Sequence, residues 1–420
     1  MNTRLWLVAG LILLAVNLRA AMTGMPPLIG NVQQELALSG ARIGLLATLP
    51  VLCLGAFAWL APTLARRFGT HAAVCAAASV LALGAAVRAV PWPPALFAGT
   101  VLCGAGIAVG NVLVPAVVKD HFADRAGLFT GLTMTLMAGS GALAAGAAVP
   151  LSAAAGWQFA LAVWAIPAVP AAAVWGLLAV RGAPMPRPRP GARAMHRSPG
   201  GSVSLLGCAL AWWVSAFLGL VSLMFYVLVA WLPRILQASG YSPAQAGLMM
   251  SVMLTIGIPL GFVVPLAAAR MRSQRSLVVA VIAAKPISLT GLLLAPAHGW
   301  VWVCLLGAAT GAAFPLAMTL LGLRTNDPRT AADLSAMAQT TGYLLAGLGP
   351  LATGLLHDIT DGWRTPLTAL TALVVPEAIT GLLAARPGHV RPRDRNPKHP
   401  PQIPSDLRKR EPSHSRSLIR

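Results

Sequence analysis

Apolar residues fill this chain in blocks of about twenty, separated by short polar or Pro/Gly breaks. Twelve such runs fall near residues 5–28, 43–65, 71–90, 95–118, 126–149, 157–180, 203–232, 244–268, 276–295, 300–323, 333–356 and 365–385. At about 1.5 Å of rise per residue, a helix of that length crosses a hydrocarbon core of about 30 Å. The pattern predicts an all-α integral membrane protein with twelve transmembrane helices. The shortest breaks are Pro91–Pro94 and Ala295–Gly299. An even number of spans places both termini on one side.

The two halves repeat one another. At an offset of 203, Gln34, Ser39, Gly44, Pro62 and Arg67 fall on Gln237, Ser242, Gly247, Pro265 and Arg270. At an offset of 206, Gly141, Gly156 and Trp157 fall on Gly347, Gly362 and Trp363. Each half has six spans, so the repeats share one orientation and enclose a cavity near the bilayer midplane. The predicted divisions are a six-helix bundle over 1–180, a basic Pro-rich linker over 181–202, a second bundle over 203–385 and a disordered basic tail over 386–420.

Composition agrees with the pattern: 57% of the residues are hydrophobic and only 10% charged, against about 25% charged in soluble domains. The net charge of +20 would suggest nucleic acid in a soluble chain. Here ten of the 31 Lys and Arg lie after Ala385 and five between Arg181 and Arg197, so they are loop charges. Arg66, Arg67, Lys119, Arg125, Arg270, Arg272, Arg275, Arg324 and Arg329 fall on the side of the termini, which the positive-inside rule makes cytoplasmic. The expected location is a bacterial-type inner membrane, multi-pass, with both termini inside and no nucleic-acid partner. A cleavable signal peptide over the first run is disfavoured, because Arg19 and the continuing apolar stretch fit a retained span.

Architecture and three stretches carry a family resemblance. Six plus six spans, a basic central loop and the turn Arg66-Arg67-Phe68-Gly69 resemble the major facilitator superfamily. Residues 17–36 (NLRAAMTGMPPLIGNVQQEL), 44–58 (GLLATLPVLCLGAFA) and 104–132 (GAGIAVGNVLVPAVVKDHFADRAGLFTGL) are similar to its cyanate and nitroimidazole permease-like group. The resemblance implies a secondary transporter of small anionic or electron-poor solutes; the expected state is a monomer in the bilayer.

Polar residues inside apolar runs are the candidate site. Arg19 lies roughly 20 Å into the first span, where its guanidinium cannot deprotonate and costs between about 3 and 15 kcal/mol unless it meets a cavity, a counter-charge or a ligand. It is the first candidate for binding an anionic or polarised solute; the position matching it at the 203 offset is Ser222, without charge. Asn111, one turn before Pro115, is a candidate lining residue. Thr133 shares a helix face with Thr130 and Met134, and Gln339 shares one with Thr340 and Tyr343. Tyr226 could stack on a flat solute or serve as an interfacial aromatic. Asn17 is expected to bond to a neighbouring helix.

Coupling and gating candidates are fewer. Of eleven acids, Glu377 alone lies deep in a span, where an isolated carboxylate would tend to be neutral. Lys285 is a second intramembrane cation that could also snorkel to an interface. Arg66 and Arg67 are the gating candidates of the short basic turn, and a coupling proton is a candidate partner. The five cysteines sit in apolar runs without metal or disulfide spacing, and read as packing residues. Gly104–Gly110 has glycine spacing but no preceding strand, and no GxxxxGK[ST] occurs, so neither a nucleotide fold nor a self-contained ATPase is indicated. No catalytic constellation, metal site or cofactor is expected. A multidrug-type efflux carrier of the same fold and a non-transporting membrane sensor are the competing readings.

Overall fold

The computed structural model describes residues 3–181, 205–271, 273–325 and 328–390. The linker, apart from Arg181, and the tail from residue 391 lie outside them, as does Arg272.

Every element among the described residues is helical. The first half contains α1 (Thr3–Thr23), α2 (Ile29–Glu35), α3 (Gly40–Phe57), α4 (Leu60–Phe68), α5 (Thr70–Arg88), α6 (Pro93–His121), α7 (Ala126–Ala162) and α8 (Ala165–Val180). The second contains α9 (Ala209–Ala238), α10 (Pro243–Arg270), α11 (Arg275–Leu294), α12 (Gly299–Leu323), α13 (Pro328–Thr360) and α14 (Arg364–Ala384). Among the described residues nine helical stretches, ten with the bent pair α3–α4, are long and apolar enough to cross a membrane. The apolar stretch Leu128–Val180 is 53 residues long, about 80 Å as one helix, too long for a single crossing of about 30 Å, and so must turn back. It does so at Ala155 and Gly156, where Gly156 takes φ +82. Trp157 follows that break as Trp363 follows the turn at Asp361–Gly362, which the 206-residue repeat anticipates.

Local chemistry sets the other boundaries. Ser39 caps α3 by accepting from the Arg42 amide, and its repeat partner Ser242 caps α10 in a reciprocal box with Gln245. Pro93 opens α6 after the extended Trp92, and Ala295 ends α11 in a non-helical conformation, so both short predicted breaks are real. α1 stops at Thr23, and Pro26 and Pro27 form a short 3-10 turn before α2 continues. Arg88 is 2% exposed and closes that break by donating from Nη1 to the Ala21 carbonyl at 2.7 Å, a cation at a helix C-terminus. Glu35 at the end of α2 accepts from Trp157 Nε1 at 2.7 Å and Gln158 Nε2 at 2.9 Å. Pro62 lacks an amide and crowds the carbonyl four residues earlier. Between Phe57 and Leu60 the second pass accordingly bends by 52°.

Each half packs as its own bundle, and the halves meet along two antiparallel seams, α3 with α13 and α7 with α10. Missing side chains bring the seams close: a Cβ on Gly44 would lie 3.6 Å from Leu351, and one on Gly247 would lie 3.0 Å from the Ala145 carbonyl. The outward faces carry Ile166, Val180 and Leu294, exposed by 65%, 87% and 74%, as a surface meeting acyl chains requires. The end of the bundle holding residues 69, 122–125, 273–274 and 324–325 is called the terminal face below; the other end is the opposite face.

Candidate solute site between the halves

Arg19 belongs to the last turn and a half of α1. Its stem lies along α7, where a Cβ on Gly141 would be 2.7 Å from Arg19 Cγ. Only glycine lets the two helices and the side chain share that space. Thr23, one turn on, fixes the same contact by hydrogen bonding to the Gly141 carbonyl at 2.8 Å and to the Arg19 carbonyl at 3.1 Å. The guanidinium then reaches across the seam to α9, where its carbon sits 5.1 Å from the centroid of Phe225, a cation over an aromatic face. The Tyr226 hydroxyl faces the same guanidinium. The Tyr226 ring meets Tyr343 of α13 edge-on at 6.4 Å and Phe225 at 5.4 Å.

Three predicted residues, Arg19, Tyr226 and Tyr343, thus come together from different helices of both halves. Phe225, which sequence reasoning did not single out, completes the group. Its only sequence signal is adjacency to Tyr226, because a phenylalanine in an apolar run otherwise reads as core or lipid contact. Arg19 is half-buried and has no carboxylate within ion-pair distance among the described residues. Ser222, one turn before Tyr226, is buried with its hydroxyl unpartnered. A permanently charged planar fork beside aromatic faces, in low dielectric, can hold a small anion or a flat group rich in oxygen. It offers no nucleophile and no acid–base pair.

The remaining predictions divide. Asn111 is half-buried on α6 and bonds to none of the described residues, which leaves its amide open; beside it, Gly110 makes room for Leu18. Gln339, one turn from Tyr343, donates to Ser335 at 2.7 Å. Thr133 is buried and spends its hydroxyl on the Thr130 carbonyl of its own helix at 2.9 Å, so it does not join the cluster. Asn17 differs from expectation: its amide donates to the Leu13 carbonyl of α1 at 2.8 Å rather than to a neighbouring helix.

Lys285 and Glu377 were expected as separate charges, one of them an isolated carboxylate. They form a fully buried ion pair with each other, tying α11 to α14. Burial without water makes each the other's necessary partner, so neither is a snorkelling cation nor a lone acid. An apolar groove of about 610 Å³ lies between the same helices, lined by Ile282, Pro286, Thr371 and Ala378. Val375 on its rim is 61% exposed, so the groove faces lipid and lacks solute-binding chemistry. Among the described residues Arg66 donates to Thr63 at 3.4 Å, and Arg67 lies 5.3 Å over Phe68. Among the described residues no cluster of three metal-ligating side chains occurs.

Comparison with known proteins places this geometry in context. A profile of the Major Facilitator Superfamily matches residues 6–350. The 2-nitroimidazole transporter of Escherichia coli K12 is 36% identical over 396 residues, 93% of this chain and 98% of that protein. The cyanate transport protein CynX of the same organism is 28% identical over 360 residues, 84% of this chain and 90% of that protein. Among solved structures, a bacterial homolog of the human lysosomal transporter Spinster, inward-facing and unoccupied, superposes with a TM-score of 0.72 at 15% identity, over 92% of this chain and 97% of that one. That last likeness concerns the fold alone.

Proposed function

The chain belongs to the major facilitator superfamily and is a multi-pass membrane transporter rather than an enzyme; from that premise we propose that it moves a small anionic or electron-poor solute by alternating access. The solute sits between Arg19 on one side and Phe225, Tyr226 and Tyr343 on the other, with Asn111 and Gln339 along its path. The observation that carries this reading is the Arg19 guanidinium, half-buried at the seam with no acid among the described residues to neutralise it. An intramembrane cation of that kind is stabilised by an anion or by the oxygens of a nitro group. The transport of 2-nitroimidazole and cyanate by relatives that the chain spans almost end to end supports the same solute class.

Both termini face the cytoplasm in this reading, following the basic turns of the terminal face. The C-terminal half contributes no net intramembrane charge, because Lys285 and Glu377 cancel. The pull on an anion therefore comes from the N-terminal half. Lys285 and Glu377 act as a strut between α11 and α14, and a coupling proton, where one is used, does not need either of them free.

Purified protein in proteoliposomes tests the proposal with cyanate and 2-nitroimidazole as probes. Saturable flux of either, lost in Arg19→Gln, is the expected result. Flux confined to bulky hydrophobic cations would establish the multidrug-type reading instead, and ligand binding without flux would establish the sensor.

A further inference from the structure

A second unpaired cation stands where the halves meet, at the opposite face. Arg234, near the end of α9, is half-buried and reaches across to α2 of the other half. A Cβ on Gly30 would lie 3.8 Å from Arg234 Nη1 and 3.8 Å from Gln237 Oε1. Among the described residues the Arg234 guanidinium makes no hydrogen bond, ion pair or contact with an aromatic face, so its five donors are unspent. The Gln237 amide beside it bonds to none of them either. Glu35, Asp358 and Asp361, the acids of this end, all lie outside ion-pair distance of Arg234. Glu35 instead accepts from Trp157 and Gln158, and Asp358 lies 3.5 Å from His357.

Arg234 ends a row that passes through the solute site. Ser222, Tyr226, Ala230 and Arg234 follow one another at intervals of four along α9, a single ridge of the helix surface. Ser222 holds an unpartnered hydroxyl and Tyr226 faces Arg19. Ser222, Tyr226 and Ala230 are all buried, so the ridge is covered between the two cations and Arg234 stands outside the covered part. Nine residues of α9, about 13 Å of rise, separate Arg234 from Phe225 beneath the Arg19 guanidinium. A small solute therefore meets the two cations in turn rather than together.

We infer that Arg234, with the Gln237 amide, is an outer anion station, which holds the anionic or oxygen-rich end of the solute at the mouth of the opposite face and yields it to Arg19 when the ridge is uncovered. The inference rests on the solute reading above and adds a second contact for the same solute class. A planar fork with free donors suits such a group, and a charge at a rim acts on encounter and on its salt dependence.

A thiol beside Arg234 reads occupancy without transport. Gln34 is exposed and one turn from Gly30 on the same face of α2. Gln34→Cys, in the full chain in proteoliposomes, is labelled with a membrane-impermeant sulfonated methanethiosulfonate, and the chain with Gln34 intact is the blank. Sodium nitrate, a flat oxygen-rich anion inert toward thiols, is the probe; sodium chloride at equal ionic strength is the control. Labelling is expected to be roughly two- to fivefold faster with Arg234 than in Arg234→Gln, and Arg234→Lys keeps most of that rate. Nitrate slows it more than chloride does, equally in an Arg19→Gln background, and the difference vanishes in Arg234→Gln. Equal slowing by the two salts, or nitrate protection that survives Arg234→Gln, overturns the station. Protection without flux of any probe counts against the solute reading alone, whereas flux lost in Arg19→Gln without protection at residue 34 counts against the station alone.

Discussion

Arg19 owes its position to one missing methyl group. With Gly141 occupied by a side chain, Arg19 Cγ must move, so Gly141→Leu is expected to displace the guanidinium and remove solute binding while the helices still insert; a binding titration and a thermal melt of the same sample separate the two effects. Tyr226 stands beside the guanidinium with a hydroxyl as well as a ring face. Tyr226→Phe keeps the ring and removes a hydroxyl that can bond the solute, a loss of about 0.5–1.5 kcal/mol, so affinity falls up to about tenfold, measured by the same titration. Arg19, Tyr226 and Tyr343 could be picked out in the sequence because polar side chains in apolar runs are costly and therefore few. Phe225 could not, since its role exists only once α9 lies across from α1. Asn17 had the same cost and a cheaper solution, a carbonyl on its own helix.

Helix pairs show what a one-dimensional pattern omits. Lys285 and Glu377 were each visible as rare charges at mid-depth, yet their union depends on α11 packing against α14, 92 positions apart. Lys285→Met leaves a buried carboxylate without its partner and is expected to cost about 3–5 kcal/mol. Lys285→Met with Glu377→Leu restores or exceeds the original stability, measured as the melting temperature in detergent. A double variant that melts as low as the single would remove the strut role. The helices themselves were legible, because a bilayer leaves the backbone few alternatives. Their bends were partly so: the turn inside α7 falls in the predicted break between 149 and 157, whereas the predicted span over 43–65 runs straight through the bend between Phe57 and Leu60.

At the scale of the molecule, two similar halves carry unequal charge. The C-terminal half neutralises its buried lysine internally, while the N-terminal half leaves Arg19 facing the seam. The repeat in sequence revealed the symmetry, and the mismatch of Arg19 with Ser222 revealed its breaking, but only the assembled seam shows which aromatic rings the cation meets. Transport of an anion follows from that asymmetry if the charge at Arg19 is what draws the solute in. The most direct measurement is solute uptake into proteoliposomes by the original protein, Arg19→Lys and Arg19→Gln side by side, with reconstitution yields matched. The account predicts saturable uptake of cyanate or 2-nitroimidazole by the original, weaker uptake by Arg19→Lys, whose ammonium keeps charge without the planar fork, and none above empty vesicles by Arg19→Gln. Uptake by Arg19→Gln equal to that of the original protein would contradict it.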